Sequence, residues 1–469
     1  MKFGDDTVSD YQEQLLEKAK GRISPGNLLH IFEQVFGDPD ITFDRESVHP
    51  DWLPVFQKNR SSLKSVASPK QFREIEQFVQ KMSPVDPRVA DLNPEEGSLC
   101  FLIGAGASKP HPSDIPTVGE LLPYMLDRAR RLDREDVTKL ADFCEERGIE
   151  NIEDLLTAAQ LAAFCSRNPN ILRLVDFLLY ADRTQEPGEA RRRRRHVDLS
   201  SVAFLQDTLQ VLFALLSSIM LPAKPNHAHG AIVKYAQSHS DSHIITTNYD
   251  CCMDLALREK NVDFSYGLDF INLDLPNGAI KSGIGLTKLH GSLNWFYCET
   301  CQDVLLIDIK ETVDDFLKDK KPYPVIAVCR VCGGQCRPLL VPPLAIKFDL
   351  APPLVRLLDR ANEAFKAAKT IVVVGFSFAE ADLYISRMLS KSMQVSKEQK
   401  LLIFDPEWSV VGRIQRKLEA SIPDFDPNRV LRVRGDCAEL LPKFLKGEMV
   451  RTVEVGASES VAKTTGVSS

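Results

Sequence analysis

Four cysteines in two pairs form the strongest chemical pattern in the sequence. Cys298 and Cys301 have two residues between them, and Cys329 and Cys332 repeat that spacing further along the chain. Two such pairs on separate turns supply the four thiolates of a tetrahedral zinc site. We therefore predict a structural zinc ion, because four protein ligands leave no open position for catalysis. The alternatives are buried thiols without a metal, or Cys336 in place of Cys332 as the fourth ligand.

Amide, carboxylate and imidazole side chains follow two apolar segments that resemble strands. Thr247, Asn248 and Asp250 close the segment HIITTNYD, and His290 closes LTKLHGS. Ligands of open α/β sheets bind outside the carboxyl ends of the strands, and a histidine placed there can act as a base near neutral pH. Each residue alone could equally be a helix cap or a core hydrogen-bonding group. Their combination predicts one shared site.

A glycine-rich loop, GAGAS, follows the first apolar strand at residues 104–108. Glycines let the backbone approach a pyrophosphate, and N–H groups at the start of a following helix attract anions. The loop lacks the third glycine of the full dinucleotide fingerprint. It is therefore either a dinucleotide loop or an ordinary turn between a strand and a helix.

Two later strand ends extend the pattern. Gly375 and Ser377 close TIVVVGFS, and Asp405 closes KLLIFD. A carboxylate in such a position commonly accepts the ribose hydroxyls of an adenosine. Asp405 could also cap a helix, because a helical segment follows Pro406. The sequence favours neither role.

Strands that alternate with helices must position these side chains. Six apolar segments predict strands, and helical spacing of apolar residues separates several of them: SLCFLI, HIITT, LTKLH, TIVVVG, KLLIFD and RVLRVRG. This alternation predicts an α/β fold with a Rossmann-like parallel sheet and right-handed crossovers.

The chain divides into three predicted parts. Residues 1–95 carry helical patterns broken by prolines and form an N-terminal helical extension. Residues 96–445 form the ligand-binding domain, with a helical insertion at 119–240 and the zinc module at 292–340. Residues 446–469 are small and polar, which predicts a disordered tail.

Composition excludes several classes of protein. The net charge of −7 argues against general nucleic-acid affinity, and no apolar run reaches the roughly 18 residues of a membrane span. The first residues lack the basic start and apolar stretch of a signal peptide, so we predict a cytoplasmic protein. Five arginines at 191–195 predict an exposed loop, with an anion or nucleic-acid contact as the alternative.

Taken in order, these motifs resemble the sirtuin (Sir2) family over roughly residues 98–445. GAGAS is similar to the family's GAG-x-S loop, TTNYD to Thr-Gln-Asn-Ile-Asp, and KLHGS to the Leu-His-Gly that carries the catalytic histidine. CGGQCRPLL is similar to Cys-Gly-Gly-x-x-Arg-Pro. The series also includes Ile115-Pro116, Pro225-Asn226-x-x-His229, GFSF and GDCAELLP.

The departures from this family point to one of its branches. Sirtuin deacetylases carry Asp-Phe-Arg after Ile-Pro, where this chain has Thr117-Val118-Gly119, and the Phe-Gly-Glu of the acetyl-peptide cleft is absent. TTNYD, Pro342-Pro343 and GFSFAEAD resemble the divergent SIR2-like branch, which is similar to NAD⁺-consuming effectors of bacterial anti-phage defence. The intact zinc cysteines favour the opposite assignment, because many such effectors have lost them.

The resemblance implies an NAD⁺ glycohydrolase that releases ADP-ribose and nicotinamide. Asn248 would position water, His290 would act as base at the ribose hydroxyls, and Asp250 would accept a hydrogen bond from the nicotinamide amide. The implied NAD⁺ contacts are Gly104, Ala105, Gly106, Ser108, Pro116, Thr247, Gly375, Ser377, Asp405 and Cys437. The implied partners are a second copy of the chain or a defence protein. The alternatives are a protein deacylase, an ADP-ribosyl transferase, or a sensor of NAD⁺ or ADP-ribose without turnover.

Overall fold

The fold is known from a computed structural model. It describes residues 18–19, 24–36, 55, 59, 62–68, 71, 75, 85–95, 97–132, 134–149, 151–165, 199–270, 283–298, 300–307, 327–341, 353–379 and 382–448. The arginine run, the Pro342-Pro343 segment and most of the predicted tail lie outside these residues. The helical pattern at residues 171–183 also lies outside them. So do most residues of the N-terminal helical patterns at 11–20 and 70–82.

Eleven strands are described: β1 Leu99–Ile103, β2 His243–Thr246, β3 Phe264–Ser265, β4 Ile284–Lys288, β5 Gly291–Cys298, β6 Val304–Leu306, β7 Ala327–Val328, β8 Gln335–Leu340, β9 Thr370–Val374, β10 Lys400–Phe404 and β11 Val430–Val433. Seven of them form one sheet in the order β11-β10-β9-β1-β2-β4-β3, and every neighbouring pair is parallel. The predicted Rossmann-like parallel sheet is therefore confirmed.

The order of these strands places a crevice beside β1. On one side of β1 lie β2, β4 and β3, in that spatial order, and the later strands β9, β10 and β11 lie on the other side of β1. Every residue of β1 and β9 is buried, as expected for central strands covered on both faces. The loops that leave β1 and β9 thus lie at a topological switch point, where open α/β sheets bind their ligands.

Eleven α-helices are described: α1 Pro25–Phe36, α2 Val118–Arg130, α3 Glu135–Arg147, α4 Ile152–Cys165, α5 Leu199–Met220, α6 His227–Ser238, α7 Cys252–Glu259, α8 Pro353–Ala367, α9 Leu383–Val395, α10 Trp408–Ser421 and α11 Cys437–Leu445. Helices α2 to α6 lie between β1 and β2, where the helical insertion was predicted. The exact boundaries of the three parts of the chain stay predictions. No helix among the described residues is long and apolar enough to cross a membrane.

The remaining four strands form a small antiparallel sheet in the order β6-β5-β8-β7. The sequence patterns did not predict this sheet. One of its faces, with Phe296 and Leu340, shares a hydrophobic core with the helical insertion, and the other face, with Trp295 and Leu339, belongs to the core of the large sheet. In the core shared with the insertion, the ring of Phe213 on α5 meets the ring of Phe296 on β5 edge to face, with centroids 5.9 Å apart. The insertion and the cysteine-bearing module therefore support each other.

Candidate active site and metal centre

The loops that follow β1 and β9 interlock through their glycines. Gly106 N donates to Gly375 O at 2.9 Å, and Gly375 has a φ of +61°, which favours glycine. A Cβ atom on Gly104 would lie 2.5 Å from Gly375 O, and one on Gly106 would lie 2.8 Å from Gly375 Cα. Glycine is thus required here so that two backbones can pack against each other, in addition to any approach by a ligand.

The glycine-rich loop at residues 104–108 does not lead directly into an α-helix. Residues Ala105–Ser108 form a short 3-10 helix, and the N–H groups of Gly104, Gly106 and Ala107 donate to backbone carbonyls of the protein. The contact of this loop with a pyrophosphate stays a prediction, but these three N–H groups are already engaged within the protein. The reason is that the β9 strand and its loop, together with the tight turn itself, supply their acceptors.

Ser108 connects the predicted amide and carboxylate. Asn248 Nδ2 donates to Ser108 Oγ at 3.2 Å and to Gly104 O at 3.1 Å. Ser108 Oγ in turn donates to Asp250 Oδ2 at 3.0 Å. All three side chains are buried. Three of the predicted residues, from the ends of β1 and β2, therefore form one hydrogen-bonded group at the switch point.

His229 completes this group, and sequence reasoning did not assign it to the site. Its Nδ1 accepts from Asn226 N at 3.2 Å as part of a capping box at the start of α6. The other ring nitrogen therefore carries the hydrogen and donates to Ser108 Oγ at 3.4 Å. Burial lowers the pKa of His229, which keeps the ring neutral. The Pro-Asn-x-x-His motif was the available signal, but it indicated only a helix start.

A buried lysine supports the loop that carries Asp250. Lys288 Nζ donates to the backbone carbonyl of Asp250 at 2.6 Å and to Asp254 Oδ2 at 3.1 Å. Both charged side chains are buried, so each compensates the desolvation of the other. Asp250 Oδ1 also accepts from Cys252 N at 2.9 Å. The orientation of the Asp250 carboxylate is thus fixed by contacts to its side chain and to its backbone.

His290 lies at the end of β4, in the loop beside that of β2, where Leu289 N donates to Thr246 O at 2.9 Å. Its Nε2 is 3.0 Å from Asp382 Oδ1 and 2.8 Å from Tyr384 Oη. The ring centroid of Tyr249 is 6.1 Å from that of His290. The Tyr249 hydroxyl is buried and has no hydrogen-bond partner among the described residues. Sequence reasoning assigned neither Asp382 nor Tyr384 to the site.

Glu153, near the start of α4, adds a carboxyl from the helical insertion to this pocket. Burial, together with the smaller effect of the nearby Asp382 charge, raises the pKa of Glu153 to about 7. The charges of Glu153 and Asp382 also act on the buried Tyr249. The insertion therefore contributes directly to the electrostatics around His290.

Glu153 predicts a pH dependence of stability. Its pKa is higher in the folded protein than the ordinary value of 4.5, so its contribution is complete below about pH 4.5 and is lost as the pH rises through about 7. The parent should lose stability from pH 5 to pH 8, whereas Glu153→Gln lacks this loss. The unfolding free energy of the variant should therefore rise relative to that of the parent by on the order of 1–3 kcal/mol over this range. Urea unfolding at both pH values measures this difference. Glu146→Gln, at an exposed position of α3, is the control. Parallel pH profiles for Glu153→Gln and the parent would contradict the assignment.

The other predicted contact residues border the interlocked loops. Cys437 Sγ lies 4.0 Å from Gly106 O, Thr247 N donates to Ile103 O at 3.0 Å, and Pro116 follows Ile115, whose N–H donates to Ser108 O. Ser377 is exposed at the same edge of the sheet. These positions are compatible with a ligand that spans the crevice, and their roles in binding stay predictions.

Asp405 forms a hydrogen bond in the turn before α10, but the N-cap position of that helix is Glu407. Its Oδ1 accepts from Glu407 N at 2.8 Å, directly before α10 begins at Trp408. Burial raises the pKa of Asp405 to about 6. The carboxyl therefore organises a turn at the carboxyl end of β10, and its contact with a ribose stays a prediction.

The four predicted cysteines converge on a site for a metal ion. The Sγ atoms of Cys298, Cys301, Cys329 and Cys332 all lie within 4.8 Å of one another. Cys298 Sγ is 3.5 Å from Cys332 Sγ, and Cys329 Sγ is 3.9 Å from Cys301 Sγ. Four thiolates about 2.3 Å from a zinc ion would be about 3.8 Å apart, so the set fits tetrahedral zinc. Cys336 lies outside the cluster and pairs with Cys298 along the β5–β8 ladder.

A separate cavity of about 360 Å³ lies at the amino ends of β1 and β2. Ser98, His243 and Arg360 are among its lining residues. It is on the opposite edge of the sheet from Asn248 and His290, so it is not part of the site described above.

Comparison with protein families identifies the domain. Residues 242–421 match the family model of the SIR2-like domain. This part of the chain is therefore similar to a SIR2-like domain, as the motifs predicted, and the match supports NAD-dependent chemistry in general. Asn248, Asp250 and His290 lie inside the matched region, whereas the glycine loop after β1 precedes it.

Several solved structures are similar to the chain. One is a triple mutant of a Sir2 homologue in complex with 2′-O-acetyl ADP ribose, with 17% identity and a TM-score of 0.41 over 77% of this chain and 96% of the other. A Sir2 homologue in complex with NAD has 17% identity and a TM-score of 0.39, over 77% and 92% of the two chains. A third structure, from work on the mechanism and regulation of Sir2 enzymes, has 20% identity and a TM-score of 0.37, over 77% and 97%. A comparison with curated proteins finds no match.

Proposed function

We propose that this protein hydrolyses NAD⁺ to ADP-ribose and nicotinamide. One observation carries the proposal: Asn248, Ser108 and Asp250 form a buried hydrogen-bonded group at the switch point between β1 and β9. This is the position where open α/β sheets bind nucleotides, and the SIR2-like match covers two of the three residues.

Asn248 would present its amide oxygen to the reacting centre. Gly104 O can only accept a hydrogen bond, so the amide nitrogen must face it, and the same nitrogen also donates to Ser108. Oδ1 is then the group that can accept a hydrogen bond from water. A fixed amide oxygen can also stabilise positive charge that develops on the ribose as the N-glycosidic bond breaks.

The proposed hydrolysis needs only NAD⁺, water and side chains of this chain. The bond between the ribose carbon and the nicotinamide nitrogen breaks, and its electron pair neutralises the pyridinium charge. The oxygen of water forms the new bond to the ribose carbon, and His290 would accept the proton that the water or a ribose hydroxyl gives up. Asp250 would accept a hydrogen bond from the nicotinamide amide, since each oxygen of a carboxylate can accept two.

The cysteine cluster would hold zinc in a structural role. All four positions around the ion are occupied by thiolates, so zinc would stabilise the module without binding the substrate. The same cluster is the observation that favours a second candidate function, an NAD-dependent protein deacylase. We further propose that a hydrolase of this kind serves as an anti-phage effector, acting with a second copy of the chain or a partner protein.

Incubation of the full chain with NAD⁺, with and without an acetylated peptide, tests the proposal. We expect equimolar nicotinamide and ADP-ribose that do not depend on the peptide, measured by liquid chromatography. Strict dependence on the peptide would replace hydrolysis with deacylation. NAD⁺ binding measured by calorimetry, without any product, would replace it with a sensor function.

A further inference from the structure

Asp382 occupies the N-cap position of α9 but does not cap that helix. A carboxylate at this position normally accepts a backbone N–H of the first turn, as Asp436 does for α11 by accepting from Ala438 N at 2.7 Å. The Asp382 side chain instead turns to His290, with Oδ1 3.0 Å from Nε2. The Asp382 side chain thus contacts the imidazole of His290 and leaves α9 without a side-chain cap.

The contact between Asp382 and His290 is buried. Asp382 is 6% exposed and His290 is 4% exposed. An ionised carboxylate can only accept a hydrogen bond, so beside it Nε2 must carry the hydrogen. In a neutral imidazole with hydrogen on Nε2, Nδ1 is the nitrogen that takes up a proton.

The segment that delivers Asp382 has an unusual backbone. Phe378 has a φ of +54°, a left-handed conformation that costs energy for a side chain of this size. Phe378 is nevertheless buried and packs against Phe376, with ring centroids 4.9 Å apart. Packing therefore holds Phe378, four residues before Asp382 in the sequence, in this conformation.

We propose that Asp382 is the positioning residue of His290, holding the imidazole as the tautomer with hydrogen on Nε2 so that Nδ1 is the proton acceptor. This role in the reaction rests on the proposed hydrolase function. Tyr384, 2.8 Å from the same nitrogen, fixes the ring position but does not select the tautomer, because a hydroxyl can either donate or accept.

Asp382→Asn tests this role because it keeps the shape of the side chain and removes the charge. In the parent, long-range ¹H–¹⁵N spectra of the full chain labelled with ¹⁵N-histidine should show His290 with hydrogen on Nε2. Loss of the signal in His290→Gln assigns it. In Asp382→Asn the tautomer preference should be lost, and kcat for nicotinamide release should fall about 100-fold or more, with KM nearly unchanged. An unchanged tautomer, or a kcat within about twofold of the parent, would overturn the proposal.

Two further variants complete the experiment. Asp359→Asn, on the exposed surface of α8, should leave both the tautomer and kcat unchanged. Tyr384→Phe should keep hydrogen on Nε2, and a changed tautomer in this variant would assign the positioning role to the tyrosine instead. This second variant also decides the question if Asp382→Asn does not fold. The spectra require no turnover, so a protein that releases no nicotinamide would refute the hydrolase function while the tautomer still tests the contact.

Discussion

Asn248→Ala is expected to lower the rate of nicotinamide release by about 100-fold or more. The parent side chain offers an amide oxygen held in place by donation from its nitrogen to Gly104 O and Ser108 Oγ. Loss of a single prearranged polar group of this kind costs about 3–4 kcal/mol of transition-state stabilisation. Initial rates at saturating NAD⁺, together with the binding constant from calorimetry, separate this effect from weaker binding.

The fold of Asn248→Ala should persist, because the large core on both sides of the sheet does not include this residue. Removing the amide leaves Gly104 O and Ser108 Oγ without one partner each, at a cost of about 1–3 kcal/mol. Asn27→Ala, on the exposed face of α1, is the matched control and should behave as the parent does. If purified Asn248→Ala consumes NAD⁺ at the parent rate, the assignment of this residue is wrong.

Cys298→Ser is expected to abolish zinc binding and to lower the melting temperature by about 10 °C or more. Binding of structural zinc by thiolates contributes on the order of 10 kcal/mol to the folded state. The loss should spread beyond the module, because Cys298, Phe296 and Leu340 share one core with the helical insertion. Metal analysis by mass spectrometry and thermal unfolding, each with and without a chelator, measure both effects.

Cys336→Ser is the matched control for the zinc prediction. Cys336 is buried next to the cluster but outside its four-thiol set, so this variant should retain one zinc ion per chain. Retention of zinc in Cys332→Ser together with its loss in Cys336→Ser would show that the ligand set is wrong.

The large sheet could be predicted from the sequence because its strands are local features. Segments such as TIVVVG and KLLIFD are short and apolar, and each ends in glycine or a polar residue. Their carboxyl ends must meet at one edge of a parallel sheet, which is why Asn248 and Asp250 could be assigned to one site before any coordinates.

The small antiparallel sheet and the surroundings of His290 could not be predicted in the same way. Strands β6 and β7 are three and two residues long, too short for a periodic pattern. Asp382 and Glu153 both contribute charge near His290 and Tyr249, although their helices are far apart in the chain. The sequence pattern of α9 suggests only an ordinary N-cap at Asp382. Such contacts depend on how whole elements pack, which residue spacing does not encode.

The contact between the two glycine loops has a consequence for how this sequence can change. Gly104 and Gly106 lie in the loop that follows β1, whereas Gly375 follows β9, more than half the chain away in sequence. Because each backbone fills the space that a methyl group on the other would need, a side chain can enter on one side only if the opposite loop retreats. These three positions must therefore vary together or not at all, although they lie on two loops that are far apart in the sequence.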